Sequence, residues 1–288
     1  MDTRRNTMVW NIITDSSCDL EEFVLQEGDH TINYKSVPFI ISVDSKDYID
    51  VEGMDTDEML EAMEKSAQIS RTSCPTPASW EELFRTEGNV IAVTISKELS
   101  GSYNSACVAK DMIMEEYPDK NIAIINSVSA GAGLVVILRT ICESILSGAS
   151  FAECVAHTQE IAAKKQTVFA LSSFDNLVKN GRMSKMAGFV ARRLNFWGIG
   201  VATSEGKIDV KDKVRGSKKA LKAIVEDIKN NRTTLRRVVI SHCHNLEMAE
   251  NLKNELLEIW RDLAIEIHAT RGLCSFYAER HGLIVAYH

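Results

Sequence analysis

The stretch Val90-Ile91-Ala92-Val93-Thr94-Ile95-Ser96-Lys97-Glu98-Leu99-Ser100-Gly101-Ser102-Tyr103-Asn104-Ser105-Ala106 decides how this chain is read. An apolar run suited to a buried strand, Val90 to Thr94, empties into a turn of hydroxyls with one glycine, and a helix from Tyr103 to Glu116 is expected after it. The free N–H groups at a helix start carry partial positive charge, and Ser100, Gly101 and Ser102 add donors with little bulk. Such a turn suits a carboxylate or phosphate without any lysine. The same residues also describe a plain helix N-terminus, capped by Ser100 or Ser102 and holding no ligand.

Working outward, Ile122 to Asn126 reads as a strand and Ala130 to Leu146 as its helix. The βαβα order predicts a mainly parallel, doubly wound sheet with flanking helices. Gly131 and Gly133 at the start of the second helix point to a close approach, by another part of the protein or by an acyl chain. Towards the N-terminus, Val9 to Ile13 is a short buried strand that opens into Thr14-Asp15-Ser16-Ser17, at the strand end where α/β sheets hold ligands. Val37 to Val43 is a second apolar run containing Pro38. Asp55-Thr56-Asp57-Glu58 supplies N-cap chemistry for a helix with Met59, Leu60 and Met63 on its core face. In Ser70-Arg71-Thr72-Ser73-Cys74-Pro75-Thr76-Pro77 two prolines predict a rigid, hydroxyl-rich, extended loop before Ser79-Trp80-Glu81-Glu82.

Ser150-Phe151-Ala152-Glu153 is a capping box for a helix to about Lys165, and the domain boundary is expected there, giving domains of residues 1–165 and 166–288. Beyond it, Val168 to Leu171, Ile199 to Thr203 and Ile208 to Lys211 read as strands, the last two joined by a hairpin turn at Ser204-Glu205-Gly206-Lys207. The second domain is therefore expected to contain antiparallel sheet. Asn180-Gly181-Arg182-Met183-Ser184-Lys185 is a turn into a helix capped by Ser184, with Phe189, Val190 and Leu194 on its apolar face. Ser217 to Asn230 is a basic helix. Val238 to Ser241, Leu246 to Trp260, Ile265 to Thr270 and Leu283 to Tyr287 then read as strand, helix, strand and strand.

The 288 residues, 45% hydrophobic and 25% charged, are ordinary for a globular α/β protein with a sizeable core. No run of about 18 uncharged apolar residues occurs, and no apolar signal stretch follows Met1-Asp2-Thr3-Arg4-Arg5, so the cytoplasm is the expected compartment. Seven scattered cysteines suggest neither a disulfide frame nor a zinc knuckle. His242-Cys243-His244 at a strand end points its side chains to opposite faces, so no metal is expected. Residues 182–222 hold eleven basic against three acidic side chains, a stretch of +8 in a chain of net charge −7. That face is either solvated or docks an acidic partner or phosphate. The acidic balance and sparse aromatics argue against nucleic acid.

Five segments, in chain order, resemble one family: Ile13-Thr14-Asp15-Ser16-Ser17-Cys18-Asp19-Leu20, Thr72-Ser73-Cys74-Pro75-Thr76-Pro77, Leu99-Ser100-Gly101, Lys179-Asn180-Gly181-Arg182-Met183-Ser184-Lys185, and Lys213-Val214-Arg215-Gly216. Together, from about Val9 to Val285, they resemble the DegV family of fatty-acid-binding proteins. The resemblance implies two α/β domains of EDD-like fold with a long-chain fatty acid buried between them. It also implies a carboxyl group held by hydroxyls and presented to a separate ATP-dependent kinase, with the resulting acyl phosphate carried onward. It places the family threonine on Thr72 and the family serine on Ser100, and implies ligand contacts at Ser73, Gly101, Ser275 and Arg215. Asp15, Ser16, Arg182, Arg271, Tyr277 and His281 are supporting candidates. Arg215 and Arg182 would offset added charge or touch the kinase, if they are not simply solvated. A transient membrane contact is a further implied partner, and no cofactor other than the lipid is implied.

One departure stands out. The family histidine before the last strand falls on Ser275 in Arg271-Gly272-Leu273-Cys274-Ser275-Phe276-Tyr277. Either Ser275, Tyr277 or Arg271 replaces that contact, or the ligand differs. Burying about fourteen methylenes at roughly 0.8 kcal/mol each amounts to on the order of 11 kcal/mol before ordering losses, so a tail would dominate affinity and a head would set register. Two other classes remain. A serine hydrolase using Ser100, or a small-molecule phosphotransferase, would lack the Gly-x-Ser-x-Gly, phosphate-loop and dinucleotide signatures. A regulatory scaffold would use the basic segment, with lipid as filler.

Overall fold

In a computed structural model, residues 8–184, 195–231 and 235–288 are described. The first half runs β1 (Met8–Asp15), β2 (Phe23–Glu27), β3 (His30–Val37), β4 (Ile40–Val43), β5 (Lys46–Ile49), α1 (Thr56–Lys65), β6 (Arg71–Ser73), α2 (Pro77–Phe84), β7 (Asn89–Thr94), α3 (Ser102–Glu116), β8 (Ile122–Asn126), α4 (Ala132–Leu146) and α5 (Phe151–Lys164). The second runs β9 (Gln166–Leu171), α6 (Asp175–Lys179), β10 (Phe196–Ala202), β11 (Ile208–Arg215), α7 (Ser217–Asn231), β12 (Arg237–His242), α8 (Leu246–Ile259), β13 (Ala264–Ala269), α9 (Gly272–Ala278) and β14 (Leu283–Tyr287). The expected helix bearing Phe189, Val190 and Leu194 lies outside the described residues.

One sheet has the order β2-β3-β1-β7-β8, with β3, β1, β7 and β8 parallel and β2 antiparallel at its edge. The other, β11-β10-β9-β14-β12-β13, is antiparallel except for the parallel pair β12–β13. The chain is thus a mixed α/β protein with one parallel-rich and one antiparallel-rich sheet, the class that the alternating pattern predicts. A third, small sheet β5-β4-β6 was not anticipated. Pro38 explains the miss: lacking an N–H, it ends β3 at Val37, and the apolar run resumes in a different sheet as β4. Thr76 caps α2, which starts on Pro77, a residue pre-set for the first helical turn.

Between the two large sheets lies α4, Ala-Gly-Leu-Val-Val-Ile-Leu-Arg-Thr-Ile-Cys-Glu-Ser-Ile-Leu. It is apolar over most of its surface, with a narrow charged stripe at Arg139 and Glu143. It packs on β3 and β7 from one sheet and on β9, β12 and β14 from the other, so Trp10, Ile12 and Ile32 share a core with Val239 and Ala286. Among the described residues no helix is long and apolar enough to cross a membrane. Ile137 is fully buried in this shared core. Ile137→Ala is expected to cost about 2–5 kcal/mol in urea denaturation, and a loss well under 1 kcal/mol would remove α4 from its central place.

Candidate functional site

The segments that follow β7 and β8, with Ile95, Leu99, Ser100, Ser129 and Ala130, meet residues of the second sheet across a cleft, at the strand ends where open α/β sheets collect ligands. β9 presents Phe169 and Leu171 to it, β14 presents Ile284 and α9 presents Leu273 and Ala278. Phe39 and Ile95 come from the opposite side.

Of the candidates read from sequence, Thr72, Ser100, Arg182 and Tyr277 line this cleft together. Thr72 faces inward because β6 alternates, its neighbours Arg71 and Ser73 being exposed. Its Oγ1 lies 2.9 Å from the Tyr277 hydroxyl, a bond across more than two hundred residues of chain. Arg182 stands 6.0 Å from the Tyr277 ring and donates to the carbonyls of Leu99 (3.0 Å) and Asn180 (2.6 Å), which brings the cation to the β7–α3 turn. In that turn Ser100 Oγ accepts from Ser102 N at 3.2 Å, while Ser102 Oγ donates to the buried Asp15 carboxylate at 2.6 Å. The cap position itself is Gly101, without a side-chain bond. Burial raises the Tyr277 phenol above its ordinary pKa, so at neutral pH it is a donor.

The other candidates lie elsewhere. Ser73 and Gly101 are exposed and do not line the cleft. The Ser275 hydroxyl, at the expected histidine position, turns back into α9 and bonds Thr270 Oγ1 at 2.7 Å and the Thr270 carbonyl at 3.1 Å. Arg215 is exposed on β11 over the Phe196 ring at 5.9 Å. Asp15 is fully buried, its carboxylate taken by Ser17, Ile95 N and Ser102, and burial pushes its pKa up. Ser16 accepts from Phe39 N. Arg271 spans the Leu20 carbonyl, Ser36 Oγ and the Asp50 carbonyl, and His281 is exposed in a separate groove. These are positioning or surface places, explained by the shortness of serine and the direction of each backbone segment.

Three features of the site escaped sequence reasoning. The turn between β10 and β11 roofs the cleft: Ser96 Oγ donates to the Gly206 carbonyl at 2.8 Å, and Lys207 pairs with Glu98 at 3.7 Å. Gly206 has φ of +90°, and a Cβ there would sit 2.3 Å from Ser96 Oγ, so only glycine fits. Ser129 and Thr167 also line the cleft, bonded to each other at 2.8 Å. The serines of Asn126-Ser127-Val128-Ser129, following an apolar strand, were the available signal. Behind them Lys165 is buried, with the Ala162 carbonyl 3.5 Å from Nζ and, among the described residues, no acid within 4 Å. Burial lowers its pKa to about 7. Within the basic segment Lys207 pairs with Glu205, Lys211 with Asp227 and Lys222 with Glu226. Cys243 is buried while His244 faces Asp57, so that triplet diverges.

The family described as an uncharacterised protein, DegV family, matches residues 9–287. A DegV domain-containing protein of Streptococcus pyogenes serotype M18 is 36% identical over 280 residues, covering 97% of this chain and 99% of the relative. Among solved structures, the Streptococcus pneumoniae Fatty Acid Kinase (Fak) B3 protein loaded with linoleic acid superposes with a TM-score of 0.93 at 35% identity, covering 97% of this chain and 99% of that one. A DegV family protein from Eubacterium eligens loaded with heptadecanoic acid gives 0.91 at 30% identity, with 96% and 99% covered.

Because the folded Lys165 amine holds its proton only below about 7 while the unfolded one holds it to about 10.5, the unfolded state binds more protons between those values. Stability contributed at this position therefore rises with pH across that window. In urea titrations at several pH values, the gap between wild type and Lys165→Met is expected to move in favour of wild type from pH 7 to 10. A gap that stays flat would place the amine in water.

Proposed function

We propose that this chain, which belongs to the DegV family, binds a long-chain fatty acid in the cleft between its two sheets and presents the carboxyl group at Thr72, Ser100, Arg182 and Tyr277. One observation carries the reading: an apolar wall built from both sheets meets a cluster of hydroxyls and the Arg182 guanidinium, and no carboxylate is among the described lining residues. The wall matches a hydrocarbon tail, the cluster an anionic head. The fatty-acid-loaded structural neighbours support the ligand class. We place the division between the two domains after Lys165, so that the ligand lies between them.

The further step, on this reading, is phosphoryl transfer by a separate ATP-dependent kinase. A carboxylate oxygen of the bound acid attacks the γ-phosphorus of ATP, the bond to the β-phosphate oxygen breaks, and ADP leaves an acyl phosphate in the cleft. Arg182 then faces a more highly charged phosphate in place of the carboxylate, a role suited to a planar cation already oriented by two carbonyls. Arg215, exposed and away from the cleft, suits a contact with the partner. A carrier working with ATP belongs in the cytoplasm. A hydrolytic reading finds less support, because Ser100 Oγ accepts from a backbone N–H and no histidine is among the described lining residues.

Native mass spectrometry after mild purification is expected to show one acyl chain per protein. Thr72→Val and Arg182→Ala are each expected to weaken binding of oleic acid roughly five- to tenfold by calorimetry, the worth of one or two hydrogen bonds. A lipid-free protein whose melting temperature ignores added oleic and palmitic acids would overturn the carrier role. With the kinase partner and labelled ATP, label in the protein-bound acid that hydroxylamine releases is the expected result, and its absence would overturn the phosphoryl-transfer step.

A further inference from the structure

A second pair of hydroxyls lines the cleft, on residues other than the four of the head cluster. Along β9, Leu171, Phe169 and Thr167 alternate onto the cleft face, which puts Thr167 four residues, roughly 13 Å of strand, from Leu171. Thr167 and Ser129, 5% and 1% exposed, are bonded to each other at 2.8 Å, and Ser129 Oγ also reaches the Ala130 carbonyl at 3.3 Å. If Ser129 donates to that carbonyl, Thr167 donates to Ser129 and keeps unused lone pairs. If Ser129 donates to Thr167, the Thr167 proton is unused. Either arrangement leaves the cleft one acceptor or donor that no other described residue takes up.

The pair is held from behind. A Cβ at Gly133 would sit 2.1 Å from Ser129 Oγ and 3.2 Å from Lys165 Cε, so the bare glycine lets a hydroxyl and a buried amine crowd the first turn of α4. Hydroxyls and an amine withdrawn from water cost desolvation free energy, and a bare methylene chain returns none of it. A ligand oxygen would.

We propose that the Ser129–Thr167 pair is a subsite for an oxygen carried on the acyl chain, so that the ligand class of this protein is a long-chain acid bearing a hydroxyl or keto group. The proposal rests on the reading that the cleft holds a long-chain acid, and narrows it. Thr167 supplies the contact, Ser129 orients it, and Lys165 backs the pair.

The test is calorimetric titration of the delipidated wild-type protein with stearic acid and with hydroxystearic acids bearing the hydroxyl near the head, at mid-chain or at the terminal carbon. One of the hydroxylated isomers is expected to bind roughly fivefold more tightly than stearic acid, the worth of one hydrogen bond. That ratio is expected to fall to about 1 in Thr167→Val and to shrink in Ser129→Ala. Stearic acid binding as tightly as every hydroxylated isomer, or a preference that survives Thr167→Val, overturns the subsite and leaves the carrier reading standing. Failure of all these acids to bind overturns both. Should Thr167→Val fail to fold, the wild-type series and Ser129→Ala decide the matter.

Discussion

The buried carboxylate of Asp50 fixes where α9 lies, and most of the cleft follows from that. Its two oxygens accept from the Gly272 and Leu273 N–H groups, each at 2.8 Å, at the first turn of the helix. The carboxylate is 1% exposed, and its pKa is raised by burial although Arg271 nearby opposes the rise. A Cβ at residue 272 would come within 2.7 Å of Asp50 Oδ1, so glycine there is a condition of the contact. Asp19 Oδ1 accepts a further bond from Arg271 N at 2.9 Å. Two acids from the first part of the chain thus seat a helix from its last part, and that helix delivers Leu273, Cys274 and Tyr277 to the cleft. Burying an acid is expensive unless its oxygens are bonded, and for Asp50 the first amides of α9 supply both bonds.

With α9 seated, the remaining geometry is a matter of what shares a core with what. The small sheet β5-β4-β6 packs its Ile41, Val43 and Tyr48 with Phe169, Phe174 and Phe276, and so carries Thr72 to Tyr277. On the other side α4 joins the two large sheets through one continuous apolar cluster. The head cluster is therefore assembled from β6, the β7–α3 turn, the turn after α6, and α9, four places far apart in sequence. None of them makes the site alone.

The elements legible in the sequence were those with strong local patterns: the βα units around Val90 and Ile122, the capped α5, the basic α7 and the hairpin turn at Ser204–Lys207. What was not legible depended on distant partners. Nothing local announces that Pro38 passes the chain from one sheet to another, nor that Gly272 must be bare because Asp50 lies above it. Thr72 and Ser100 were picked by resemblance and do share a wall, whereas Ser275, picked by counting, is turned away by its bond to Thr270. Tyr277, named only as one of three replacements, is the residue that meets Thr72. Strand alternation explains the Thr72 and Ser73 pair: two adjacent hydroxyls, one facing each side of β6.

Among the described residues, the turn that roofs the cleft is tied to the opposite wall by one hydrogen bond, Ser96 to Gly206, and by a largely exposed ion pair worth little in salt. Parting the two sheets would instead strip the apolar faces of α4 from both. The two separations are unequal: lifting the turn would break one hydrogen bond and one exposed ion pair, whereas parting the sheets would break the hydrophobic heart of the molecule, so its hinge of least resistance lies at the rim.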